Sequence, residues 1–139
     1  MASENSRVAR QVWIGMAIAI AVEAIVGVIE LRVVPLGRPS SWDPTQGRAV
    51  YLAHAAIGVV IGLVAISLYT LCRDAPRFAR LGSLIGLIGV GTAGVGGFLS
   101  AYHPVRLVGM AVMFIGAGTA FFAYLIPLGK RSPEASSAT

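Results

Sequence analysis

Charge is scarce in this chain. Only 12% of its 139 residues are Asp, Glu, Lys or Arg, while 56% are apolar. A water-soluble domain of this length needs far more charged surface than that. Cysteine is almost missing as well: Cys72 stands alone, which excludes an internal disulfide and a Cys-x-x-Cys redox pair. The chain has no Gly-x-x-x-x-Gly-Lys phosphate cradle, no Gly-x-Ser-x-Gly nucleophile turn, and no His-x-x-x-His or Glu-x-x-His metal spacing.

What is present is apolar length. Four windows, about 12–34, 49–71, 81–102 and 105–128, each meet the requirement of about 20 mostly apolar residues for crossing a bilayer. The expected fold is all-α, an integral membrane four-helix up-down bundle over residues 11–129. A basic cytoplasmic leader at 1–10 precedes it, and a disordered cytoplasmic tail at 130–139 follows. The first window is longer than a signal-peptide core, so we expect it to be retained.

The net charge of +5 does not indicate a nucleic-acid partner, because the cations flank the apolar windows. Arg7, Arg10, Arg73, Arg77, Arg80, Lys130 and Arg131 fall on one side of an alternating path; Arg32, Arg38, Arg48 and Arg106 fall on the other. The positive-inside rule then puts both termini in the cytoplasm, with membrane lipid as the partner of the basic flanks. For a bacterial chain the membrane is the plasma membrane.

The only sizeable loop runs from Pro35 to Arg48. Its prolines restrict it, and Trp42 suits the headgroup level, so it reads as an ordered outer flap. Spans three and four meet at His103-Pro104 in a tight hairpin. Span three carries Gly82, Gly86, Gly89, Gly91, Gly94, Gly96 and Gly97. This surface suits close helix packing, room for a flat ligand, or contact with a second copy or a larger membrane complex.

Ionisable residues inside such windows are the candidate site, since each costs roughly 2.5–3.5 kcal/mol at the bilayer centre on insertion scales. Glu30 near the end of span one and His54 near the start of span two have similar depths on sequential, antiparallel helices. They are expected to meet at the outer side, with His103 closing the cluster. Glu23 lies two turns below Glu30 on the same stripe, near the midplane, and reads as a separate proton-handling acid, with Gly27 leaving space between them. Gly58 and Gly62 share the face of His54. That bare face suits an axial haem ligand, and equally a buried imidazole bonded to a carboxylate while another helix packs over the glycines. Glu30, His54 and His103 together also have the donor types of a zinc or iron site.

The run Glu23-Ala-Ile-Val-Gly-Val-Ile-Glu-Leu-Arg32, the Gly/Pro/Trp loop, Leu52-Ala-His-Ala-Ala-Ile-Gly58 and the glycine-rich third span together resemble one four-helix half of the haem A synthase family. More loosely they resemble other b-type four-helix membrane cytochromes. The resemblance implies haem b held by His54 near the outer face. His103 would be the second ligand only with a shifted register, and Met110 stands near the place where that family has its second histidine. The family's Glu-x-x-His-Arg reads here Tyr51-Leu-Ala-His-Ala55.

Three readings follow. The first is a haem-binding electron-transfer or accessory redox subunit using His54 and His103. The second is a proton-coupled small transporter or channel using Glu23. The third is a non-catalytic packing or assembly subunit. Whether the chain is an enzyme stays open.

Overall fold

A computed structural model describes residues 2–33, 47–101 and 105–129. Four helices occupy nearly all of them: α1 (Ala2–Val33), α2 (Arg48–Leu71), α3 (Arg77–Ser100) and α4 (Arg106–Leu125), the last continued by a 3-10 turn, Ile126–Gly129. Each has a stretch of 24 residues apolar enough to cross a bilayer, about 36 Å at 1.5 Å per residue against a hydrocarbon thickness of about 30 Å. The helix of span one extends back through the basic leader, and that of span three begins at Arg77, a turn earlier than hydropathy alone suggested. The flap at 34–46, the His103 turn at 102–104 and the tail at 130–139 lie outside the described residues.

Local chemistry sets the helix ends. Gly47 enters α2 with φ 75°, a left-handed conformation that favours glycine. Between α2 and α3 the amides of Cys72, Arg73 and Ala75 are taken up by Leu68, Thr70 and Cys72 carbonyls. Pro76 then accepts from the Ala79 and Arg80 amides, starting α3 where a missing N–H costs nothing. Pro127 breaks the α-helical pattern of α4.

Each helix packs on its neighbours in sequence and α1 also packs on α4, with no close backbone approach across either diagonal among the described residues. Neighbours run antiparallel. The contact between α3 and α4 is by far the most extensive, and its sequence cause is a seven-residue repeat of small residues. Gly82, Gly89 and Gly96 on α3 face Ala123, Gly116 and Gly109 on α4 in register. A Cβ at Gly89 would lie 2.6 Å from the Ala120 nitrogen, and one at Gly96 would collide with the Met113 backbone. The glycines of span three thus serve close packing inside the chain. Gly91 and Gly94 are the ones left outward, with open space beside them.

The packed core lies toward the end where α1 starts and α4 finishes. Trp13, Met16, Ala17 and Ile20 of α1 meet Ile61, Ala65, Leu68 and Cys72 of α2 and Ala120 and Tyr124 of α4. The Trp13 and Tyr124 rings sit 5.8 Å apart, and Gly86 makes room for the tyrosine. Burial pushes the Cys72 thiol up, opposed by its hydrogen bond with Ser83, so the lone cysteine is not an activated nucleophile.

Elsewhere the surface is apolar. Ile18, Ile25, Val60, Leu63, Leu107, Ile115 and Phe122 are all more than half exposed. The outward hydroxyls of Ser67, Thr70, Thr92 and Thr119 donate back to carbonyls one turn earlier in their own helices, which satisfies these donors without a partner outside the helix.

Candidate functional site

The half of the bundle opposite the packed core is hollow. All four helices line a cavity of about 470 Å³, within the usual range for small-molecule sites. Its wall is mostly apolar, and its ionisable groups are Glu23 and Glu30 from α1 and Tyr51 and His54 from α2.

Helical spacing on α1 builds the centre of this site. Glu23, Gly27 and Glu30 stand one turn apart on one face, and His54 lies opposite the middle position. A Cβ on Gly27 would be 3.1 Å from the imidazole Cε1, so the glycine is the hollow into which the ring fits. Carboxylates then flank the ring one turn to either side. His54 Nδ1 lies 2.9 Å from Glu23 Oε1, and Nε2 lies 3.7 Å from Glu30 Oε2. The shorter approach is off the N–H axis, an ion-pair contact more than an aligned hydrogen bond. The arrangement is reciprocal, because Gly58, one turn after His54, gives room to Glu23: a Cβ there would be 3.2 Å from its Oε1.

This geometry corrects one expectation. Glu23 does not stand apart from a Glu30–His54 pair. The imidazole sits level with Gly27, between the two acids, and its shorter contact is with Glu23. His103 lies outside the described residues, so its place in the cluster is not described. Among the described residues, no group of three His, Cys, Asp or Glu side chains is disposed to hold a metal ion. The residues that sequence reasoning missed are the apolar walls: Phe98 of α3 and Met113 and Phe114 of α4. Nothing in their spacing distinguishes them from lipid-facing residues.

The three polar groups act as a unit. With His54 protonated and both carboxyls ionised, the cluster would carry a single negative charge among apolar walls. Donors are also short. One imidazole offers at most two N–H groups to four carboxyl oxygens, and Glu23 Oε2 is buried with no hydrogen-bond partner. The Ser100 hydroxyl, at the same end of the cavity, is committed to the Gly97 carbonyl.

An axial haem ligand would need an imidazole nitrogen with an unopposed lone pair and a bare helix face beside it. Glu23 at Nδ1 is the kind of partner a ligating histidine has, but Glu30 opposes Nε2 and Glu23 occupies the space beside Gly58. In this arrangement both carboxyls would have to move aside for His54 to ligate a haem. Compared with family models, curated proteins and solved structures, the chain matches none.

Proposed function

We propose that this chain is an integral membrane carrier that couples a small cargo to proton uptake and release at Glu23, His54 and Glu30. The observation behind this reading is the single imidazole bracketed by two carboxyls at the wall of a cavity shared by all four helices. Membrane residence is supported by the four long apolar helices and their apolar outer surface. The arginine distribution favours cytoplasmic termini, which turns the cavity toward the outer leaflet.

Below the cavity, Trp13, Met16, Ala65 and Tyr124 are packed to near-zero exposure. A carrier that exposes its site to one side at a time therefore fits better than an open channel. Intramembrane Glu and His residues are the usual components of such proton relays. His54 passes a proton between acids that lie about 10 Å apart along α1, at 1.5 Å per residue.

Purified protein reconstituted into vesicles with a pH-sensitive dye inside tests the reading. An outward acid jump, with candidate cargo present, should acidify the lumen faster than in empty vesicles, and Glu23→Gln should abolish the difference. An unchanged rate in Glu23→Gln would overturn the reading. The visible spectrum of protein expressed with ample haem separates it from the cytochrome reading, which requires a Soret band that His54→Ala removes.

A further inference from the structure

The walls and the mouth of the cavity define what it would carry. Two observations bear on this. First, the cluster sets four carboxyl oxygens, one of them buried without a partner, against a single imidazole, and it lies among apolar groups. A complementary ligand brings positive charge and N–H donors, since charge-assisted N–H···O bonds are the strong ones and a buried carboxyl oxygen without a partner is costly. Phe98 and Phe114 line the same cavity, and aromatic faces attract a cation and pack against an apolar body.

Second, the cavity opens sideways. Val59 of α2 and Phe98 of α3 both line it, yet are 64% and 54% exposed. Ala55 and Gly94 beside them also line it and are exposed. These four residues lie at matching depths on adjacent helices, so they form the two edges of a seam between α2 and α3. That seam faces hydrocarbon when the helices span a bilayer. Helix α2 is also the least covered of the four.

We propose that the cavity binds a lipid-soluble primary or secondary amine, which enters from the bilayer through the α2–α3 seam and donates its N–H groups to Glu23 and Glu30. This rests on the proton-handling reading and names its cargo. An N–H donor is the discriminating requirement. A quaternary ammonium supplies the charge but nothing to fill the empty acceptors, and an alcohol supplies one donor without charge.

The test uses three probes with one body: 4-phenylbutylamine, 4-phenylbutanol and trimethyl(4-phenylbutyl)ammonium. Each is titrated calorimetrically into the full chain in lipid nanodiscs and into empty nanodiscs. The amine should bind saturably, at least about tenfold more tightly than either of the others, and Glu23→Gln should weaken it by a similar factor. Equal affinity for the amine and the quaternary probe would overturn the donor requirement, as would heats no larger than those of empty discs.

Because the probe series runs on the unaltered protein, it does not depend on any variant folding. Gly94→Leu, which fills open space at the seam, should slow association of the amine about fivefold or more in stopped flow, and an unchanged rate would overturn entry by that route. Proton-driven acidification that is lost in Glu23→Gln, with no amine binding, would remove the amine and leave the proton-handling reading standing. Loss of both results would remove both.

Discussion

The two helix pairs of this bundle use glycine for opposite purposes. In α3–α4, Gly82, Gly89, Gly96, Gly109 and Gly116 bring backbone against backbone, and a methyl group at any of them meets main chain of the facing helix. In α1–α2, Gly27 and Gly58 make room for polar side chains between the helices, and a methyl group there would meet His54 or Glu23. One pair is locked by atoms that cannot yield. The other is joined through ionisable groups whose attraction changes with each proton. The proposed carrier would use both, a rigid half and a half that responds.

The hardest way to break the comparison is to fill the rigid seam. Gly96→Leu should cost at or beyond the upper end of overpacking, about 3 kcal/mol, because Met113 and Gly109 present backbone there. We expect loss of the monodisperse peak and of the cooperative melt followed by circular dichroism in detergent. Gly91→Ala on the same helix, with no atom within 4 Å of the added carbon, should instead stabilise by up to about 1 kcal/mol through helix propensity. Similar losses in both variants would mean that the small-residue register is not what joins α3 to α4.

The responsive pair should break differently. His54→Ala leaves the two α1 carboxyls without their shared partner and should cost about 3 kcal/mol, as when one partner of a buried pair is removed. Replacing Glu23, His54 and Glu30 together by leucine should restore stability to that of the parent or above, while proton uptake in vesicles stays abolished. A triple variant less stable than His54→Ala alone would show that the cluster holds the helices together and is not retained for function.

Much of this was legible in the sequence, and the limits have physical causes. Hydropathy located four helices because a bilayer-length apolar run allows few alternatives. Depth counting brought Glu30 near His54. It failed for Glu23 because depth along the axis says nothing about which residue lies opposite which. That register was set by Gly27, whose missing side chain admits the ring, and glycine spacing carries no mark of whether it will receive a helix, a ligand or an imidazole. The seven-residue register of span three with span four was present in the numbering of Gly82, Gly89, Gly96, Gly109 and Gly116. It became readable only once the hairpin fixed which residues face each other. Phe98, Met113 and Phe114 gave no signal at all, since an apolar cavity wall and a lipid-facing surface have the same composition.

A smaller change sharpens the contrast within the packed core. Tyr124 is fully buried and its hydroxyl has no hydrogen-bond partner among the described residues. Tyr124→Phe keeps the ring against Trp13 and Gly86 and removes the unmet donor. It should raise the denaturation midpoint by the equivalent of about 1 kcal/mol and leave proton uptake unchanged. A loss of stability would mean that the hydroxyl has a partner, such as a buried water, that holds the inner half closed.

The smallest expected change in stability is the most direct test of how the two halves differ. Gly27→Ala gains up to about 1 kcal/mol of helix propensity, but its methyl carbon would stand 3.1 Å from the His54 ring. The imidazole must then withdraw by a few tenths of an ångström. The gain and the contact cost are of similar size, so the melting curve should move little. The withdrawal, however, lengthens the 2.9 Å approach of Nδ1 to Glu23, and proton uptake in vesicles should fall severalfold. Gly62→Ala, on the same helix face as His54 but with nothing within 4 Å of its added carbon, gains the propensity alone and should leave uptake intact. In the rigid pair a methyl group is expressed as lost folding; at Gly27 it should be expressed as lost proton exchange in a protein that still folds. If Gly27→Ala and Gly62→Ala exchange protons equally well, the ring's seat on α1 does not set its contact with Glu23, and the two helix pairs differ in packing alone.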